Sequence, residues 1–252
     1  MIELWQLGLL VLAAFAAGFV DSIAGGGGLI TVPALLGLGL PAPLALGTNK
    51  LQATFGSGSA AWHYARAGLV NWRECGRGFL ITCVGSAVGT LLVRQLDDTL
   101  LRRLIPILLV AVAALMIFRP KLGEQDLHPR MNRLGFELCF GLGLGFYDGF
   151  FGPGTGTFWT MALMLGLGLN LTRATAHTKV MNFASNVTSL AVFLVHGQAL
   201  FLPGLAMGVA QLLGASLGAR MVVRRGTRFI RPIFLTAVLA LAARLLWKAY
   251  FP

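Results

Sequence analysis

The chain has 252 residues, 56% hydrophobic and 12% charged, with a mean hydropathy of +0.77. Soluble globular proteins carry roughly 25% charged residues, so this composition excludes an ordinary soluble domain and points to an all-α, polytopic helical membrane protein. The net charge of +11 does not mark a nucleic-acid binder, because the arginines fall in short loops between apolar runs, where the positive-inside rule collects them.

In chain order, ten apolar segments are predicted, at about 4–24, 28–46, 50–66, 78–96, 101–118, 134–152, 155–171, 179–197, 203–222 and 229–250. The first follows Met1-Ile2-Glu3 with no basic leader region and no small-residue cleavage site, and reads as a retained span. The second, crowded by Pro33, Pro41 and Pro43, and the seventh, punctuated by Gly166 and Gly168, are short for a bilayer. They read as short tilted helices or re-entrant pieces. Cys75, Cys83 and Cys139 match neither a disulfide framework nor a metal spacing and read as small packing residues.

A motif recurs. Gly18-Phe19-Val20-Asp21-Ser22-Ile23-Ala24-Gly25-Gly26-Gly27-Gly28 returns 127 residues later as Gly145-Phe146-Tyr147-Asp148-Gly149-Phe150-Phe151-Gly152-Pro153-Gly154-Thr155, with five of eleven positions identical. Beyond it the offset is 129: Leu36 to Leu40 matches Leu165 to Leu169, Thr48-Asn49-Lys50 faces His177-Thr178-Lys179, Gly68 faces Gly197, and Gly85/Gly89 faces Gly214/Gly218. The chain therefore divides into a first repeat (1–118), a polar, cytoplasmic linker (119–133) and a second repeat (134–252). Five segments per repeat is an odd number, so the second repeat is expected to enter the membrane inverted. With the N-terminus outside, the loops 25–27, 67–77, 119–133, 172–178 and 223–228 fall inside and carry most of the loop arginines, while 198–202 falls outside with no charge. An eight-span arrangement, with segments two and seven re-entrant, stays open. The Gly85/Gly89 and Gly214/Gly218 pairs predict faces where helices approach closely.

Ionisable residues inside the apolar segments are few: Asp21, Asp148, Lys50, Lys179, His63, His177 and Glu137, with Arg244 and Lys248 near the C-terminal end, where they snorkel to the interface. A central charge costs roughly 2.5–3.5 kcal/mol on insertion scales, so such a residue faces a cavity or a partner. Lys50 and Lys179 are expected to open the third and eighth helices, where lysine and free N–H donors together suit an anion. Asn49, Thr178, Ser57, Asn182 and Asn186 add neutral polar groups; Asn182 and Asn186 share a helix face with Lys179. The glycine breaks are expected to offer backbone N–H groups at Gly26, Gly27 and Gly154. Asp21 and Asp148 carry protons in a coupled cycle, brace the broken backbone or pair with a lysine. His63, without a second-half counterpart, reads as a packed side chain. The sequence has no HExxH, GxSxG or Walker signature, so no catalytic residue, metal ligand or cofactor is assigned.

The two Asp–Gly-rich motifs, with Pro33, Gly47-Thr48-Asn49-Lys50 and Thr178-Lys179, resemble in order the two signatures of the TauE/SafE sulfite-exporter family. The resemblance covers nearly the whole chain. It implies a bacterial inner-membrane transporter of a small anion, in a family associated with sulfite, sulfonates, sulfoacetate and related organosulfur anions. With the two lysines between the repeats, the leading expectation is a secondary transporter of a small sulfur-containing anion working by alternating access, with proton coupling through Asp21 or Asp148 as an addition. An anion channel, and a membrane subunit or enzyme acting on an organosulfur compound, are the alternatives. The expected partners are the small anion, the lipid bilayer and a second copy of the chain in a homodimer, with no nucleic acid.

Overall fold

The computed structural model describes residues 2–97, 99–101 and 125–226, which form helices joined by short turns, with no strand among them. Apart from Leu101, the predicted fifth segment lies outside the described residues, as does the whole of the tenth with Arg244 and Lys248.

Helix α1 (Leu4–Ala24) has the predicted bounds, opening on a capping box between Glu3 and Gln6. It ends at Gly25 and Gly26, whose φ angles of 80° and 96° take the backbone where side chains fit poorly. Helix α2 (Gly28–Gly37) has ten residues, about 15 Å at 1.5 Å per residue. A bilayer core is about 30 Å thick, so α2 does not cross it alone.

Helix α3 (Ala42–Arg66) corrects the sequence reading. Pro41 caps it and Pro43 sits in its first turn, where a missing N–H costs no hydrogen bond. The segment predicted as 28–46 is therefore two elements, and Lys50 is the ninth residue of α3 rather than its opening. Helix α8 repeats the correction. It runs Leu171–Val195, opened by Asn170, whose side chain accepts from Arg173 N at 3.0 Å. The predicted loop 172–178 is helical, and Lys179 is likewise the ninth residue. Both helices have 25 residues. The start signals, proline and asparagine, lie a turn or more upstream of the polar residues mistaken for them.

Helix α4 (Trp72–Val93) is capped by Asn71. Helix α5 (Arg133–Phe136), a π-helical turn (Glu137–Gly141) and α6 (Leu142–Phe150) follow one another without a break and correspond to the predicted sixth segment. Glu137, expected inside a span, is buried in the π turn and pairs with Arg77 and with Arg133. Helix α7 (Thr155–Leu167) has 13 residues between Gly154 and Gly168, both left-handed, and at about 20 Å is also too short to cross alone. Helix α9 is Phe201–Arg225. Among the described residues α1, α4, α8 and α9 are long and apolar enough to span a membrane.

The halves interlock. Helix α4 lies on α6 and α8, and α9 lies on α1 and α3. A Cβ on Gly85 would stand 2.4 Å from the Leu142 carbonyl oxygen, and one on Gly89 2.1 Å from that of Phe146. In the other half a Cβ on Gly214 would stand 2.1 Å from the Phe15 oxygen, and one on Gly218 2.7 Å from that of Phe19. Phe15 and Phe19 precede Leu142 and Phe146 by 127 residues, so the same contact is made twice. Each first helix is gripped by the fourth helix of the other repeat, by close backbone approach at glycine.

Candidate functional site

The two glycine breaks abut. Thr157 Oγ1 donates to the Ala24 carbonyl at 3.1 Å. A Cβ on Gly25 would lie 2.6 Å from Thr157 N, and one on Gly28 3.3 Å from Pro153 Cα. The N-termini of α2 and α7 thereby come to one place.

Both lysines reach it from the sides, and each pairs with an aspartate of the opposite repeat. Lys50 Nζ stands 2.7 Å from Asp148 Oδ1, 2.6 Å from the Asp148 carbonyl oxygen and 3.2 Å from Asn186 Oδ1. Lys179 Nζ stands 2.9 Å from Asp21 Oδ2. The remaining carboxylate oxygens are also held: Ser185 Oγ donates to Asp148 Oδ2, and Gly27 N donates to Asp21 Oδ1 at 3.0 Å. Burial explains the pairing, since an ammonium removed from water without a counter-charge is strongly destabilising. Exposure differs between the pairs: 2% and 4% for the Lys50 and Asp148 side chains, 0% and 16% for Lys179 and Asp21.

A cavity of about 30 Å³ lies among these groups, room for roughly two waters. Of the residues singled out from sequence, Asp21, Gly26, Asn49, Lys50, Asp148, Gly154, Asn182 and Asn186 line it. Gly26, Gly28, Gly154 and Gly156 line it, and their backbone N–H groups have no hydrogen-bond partner among the described residues. Donors from two helix N-termini thus border one space, where the helix dipoles also favour negative charge. The helix-terminus argument for an anion belongs to α2 and α7, not to the helices that carry the lysines.

Four sequence-predicted residues are placed otherwise. Lys179 reaches the site through Asp21 and lies close to Gly156, where an added Cβ would be 3.3 Å from Nζ. Thr178 faces Thr160 at 3.0 Å, the repeat counterpart of the Thr31–Asn49 bond at 2.6 Å. Ser57 acts one step back, accepting from Asn186 Nδ2 at 3.2 Å. The Gly27 N–H is engaged by Asp21. His177 is buried against Cys75, Nδ1 to Sγ 3.4 Å, and His63 is half-buried; neither lines the cavity.

Gln211 was not anticipated. It lines the cavity, it is 3% exposed, and its Oε1 has no partner among the described residues. Asn182 Oδ1 is buried and unpartnered in the same way. The signal for Gln211 was a lone amide within the apolar run 203–222.

The whole-chain comparisons agree with one another. The model of the family described as sulfite exporter TauE/SafE matches residues 10–245. A probable membrane transporter protein of Haemophilus influenzae is 45% identical over 241 residues, covering 96% of this chain and 94% of that one. The probable membrane transporter protein ORF9 of Sinorhizobium sp is 45% identical over 240 residues, 95% of this chain and 92% of its own. The probable membrane transporter protein YfcA of Escherichia coli K12 is 42% identical over 250 residues, 99% and 93% of the two chains. The chain belongs to the TauE/SafE sulfite exporter family and is a membrane transporter rather than an enzyme.

Proposed function

From membership of the TauE/SafE family and the geometry of the cavity, we propose that this transporter moves a small sulfur-containing anion across a bacterial inner membrane by alternating access. The observation that carries the reading is the meeting of two helix N-termini, with unpartnered N–H groups at Gly26, Gly28, Gly154 and Gly156, on a cavity also bordered by Lys50. A sulfonate or sulfite presents several acceptor oxygens, and such an oxyanion uses several N–H donors at once. In discontinuous-helix transporters the substrate anion sits at such half-helix ends, between the repeats.

The cavity of about 30 Å³ is smaller than an oxyanion of four or more heavy atoms, by the scale of one water to 10–15 Å³. Loading therefore requires the flanking elements to part, which a rocking of interlocked repeats supplies. The duplicated Gly85–Leu142 and Gly214–Phe15 contacts support a two-fold relation between the repeats. Five crossings in each repeat would make that relation an inverted one, and the positive-inside rule applied to the loop arginines would then place the N-terminus outside.

Flux into proteoliposomes tests the reading with sulfite, thiosulfate, sulfoacetate, methanesulfonate, taurine and sulfate. Saturable uptake of at least one sulfur anion is expected, with a tenfold or greater loss in Lys179→Ala that still elutes as a folded protein. Normal flux in both Lys50→Ala and Lys179→Ala would overturn the site. Unsaturable current without coupling would make the protein a channel.

A further inference from the structure

We infer that Asp21, and not Asp148, is the carboxylate that takes up a proton during transport, and that the anion replaces it at Lys179. The inference rests on the functional reading above and deepens it by separating two pairs that the sequence makes look equivalent.

The first argument is a donor count. An ammonium has three N–H donors. Lys50 Nζ places all three, on Asp148 Oδ1, the Asp148 carbonyl and Asn186 Oδ1. Lys179 Nζ has one acceptor among the described residues, Asp21 Oδ2. Two of its donors remain for a ligand.

The second argument is the scaffold behind each aspartate. Asp148 is backed by hydroxyls: Ser185 donates to its carboxylate, Ser86 and Ser189 lie 2.8 Å apart, and Thr90 donates to Ser189 at 2.9 Å and to the Gly149 carbonyl at 3.1 Å. At the repeat-equivalent positions stand Gly56, Ala215, Ala60 and Ala219, at the offset of 129. No hydroxyl from these positions holds Asp21, whose side chain is four times as exposed as that of Asp148, 16% against 4%.

The third argument is charge. Two lysines and two aspartates leave the site formally neutral, so a monoanion alone would bury a net negative charge, which is costly. A proton added to the Asp21 carboxylate breaks its ion pair, leaves Lys179 charged and free, and restores neutrality once the monoanion binds. On release the proton leaves Asp21 and the Lys179–Asp21 pair closes again. Asn182 and Gln211, each with a buried, unpartnered amide oxygen, line the same cavity and carry acceptors that suit a carboxyl proton.

The groups facing Asp21 are few. Helix α8 presents Lys179, and α3 presents Lys50 across the cavity and Tyr64, whose hydroxyl donates to the Ser22 carbonyl at 2.6 Å. Helix α6 presents Asp148, and α9 presents the neutral Gln211, its arginines lying further along at 220, 224 and 225. Helices α2 and α7 carry no titratable side chain.

The test uses the full chain in proteoliposomes with methanesulfonate, a fully ionised monoanion, and sulfoacetate as a second probe. With one proton per monoanion, a pH gradient of one unit drives about tenfold accumulation of methanesulfonate. Asp21→Asn keeps an acceptor for Gly27 N and is expected to exchange internal for external anion while its accumulation ratio falls to about one. If Asp21→Asn does not exchange, Asp21→Ser, which frees Lys179 without a carboxylate, is read in the same assay. Accumulation that still follows the pH gradient in either variant, or loss of exchange in both, overturns the inference. A wild type that moves no anion of the panel defeats the functional reading instead.

Discussion

The Lys50–Asp148 and Lys179–Asp21 pairs occupy equivalent places in the two repeats and join them in opposite directions. One is sealed, with every donor matched and a hydroxyl scaffold behind it; the other is bordered by small residues and partly exposed. The same charges recur in both halves of the sequence, and their neighbours differ. A pair fully satisfied by fixed groups holds the repeats together. A pair with donors to spare is able to change partner, which is what a binding site must do.

Breaking each pair should expose the difference most strongly. Asp148→Ala leaves Lys50 buried without its counter-charge and should cost about 3–5 kcal/mol. Asp21→Ala should cost less, about 1–2 kcal/mol, because removing the partly exposed carboxylate opens the buried Lys179 ammonium to the cavity. Thermal unfolding in detergent compares the two, and equal losses would break the distinction. Ser185→Ala removes a donor to the Asp148 carboxylate and should cost about 1.5–3 kcal/mol, seen in the same melts. Gly85→Ala and Gly214→Ala should each cost about 1–3 kcal/mol by overpacking, and by similar amounts, since both meet equivalent carbonyls. A loss confined to one of them would show that the repeats are not gripped alike.

The smallest effect lies at the loop before α8. The backbone N–H of Asn170, and then Arg173 at 3.1 Å, hold the Asp126 carboxyl below the usual carboxylate range. Its folded-state affinity for a proton is lowered, so its contribution is present above the unfolded carboxylate value, about pH 4, and is lost as pH falls below that. The pair is exposed, so the contribution stays below about 1 kcal/mol. Asp126→Asn should accordingly flatten a slight fall in melting temperature between about pH 5 and pH 3. Leu44 stands where the first repeat would need Arg173, so the same scan tests a second way in which the halves differ.

Much of this was legible in the sequence because charge is rare in an apolar chain. Asp21, Asp148, Lys50 and Lys179 stand out from composition alone, and their spacing exposes the duplication. Helix starts were misplaced because Thr48-Asn49-Lys50 and His177-Thr178-Lys179 look like polar helix openings, while the real signals, Pro41 and Asn170, lie earlier. Which aspartate meets which lysine is a tertiary fact: Lys50 and Asp148 are 98 residues apart, Lys179 and Asp21 158. No local pattern encodes that crossing. Gln211 is not distinguished by the sequence, because one amide in a long apolar run reads equally as a helix contact.

The central claim, that the transported anion occupies the cavity between the two breaks, is tested most directly by substrate protection. Ala53 lines the cavity, is small, and is the repeat counterpart of Asn182. With Cys75, Cys83 and Cys139 replaced, Ala53→Cys should react with a membrane-permeant maleimide. The transported sulfur anion should slow that reaction in proportion to occupancy, with half-protection at the concentration that half-saturates flux. Labelling that proceeds at the same rate under saturating anion would contradict the account.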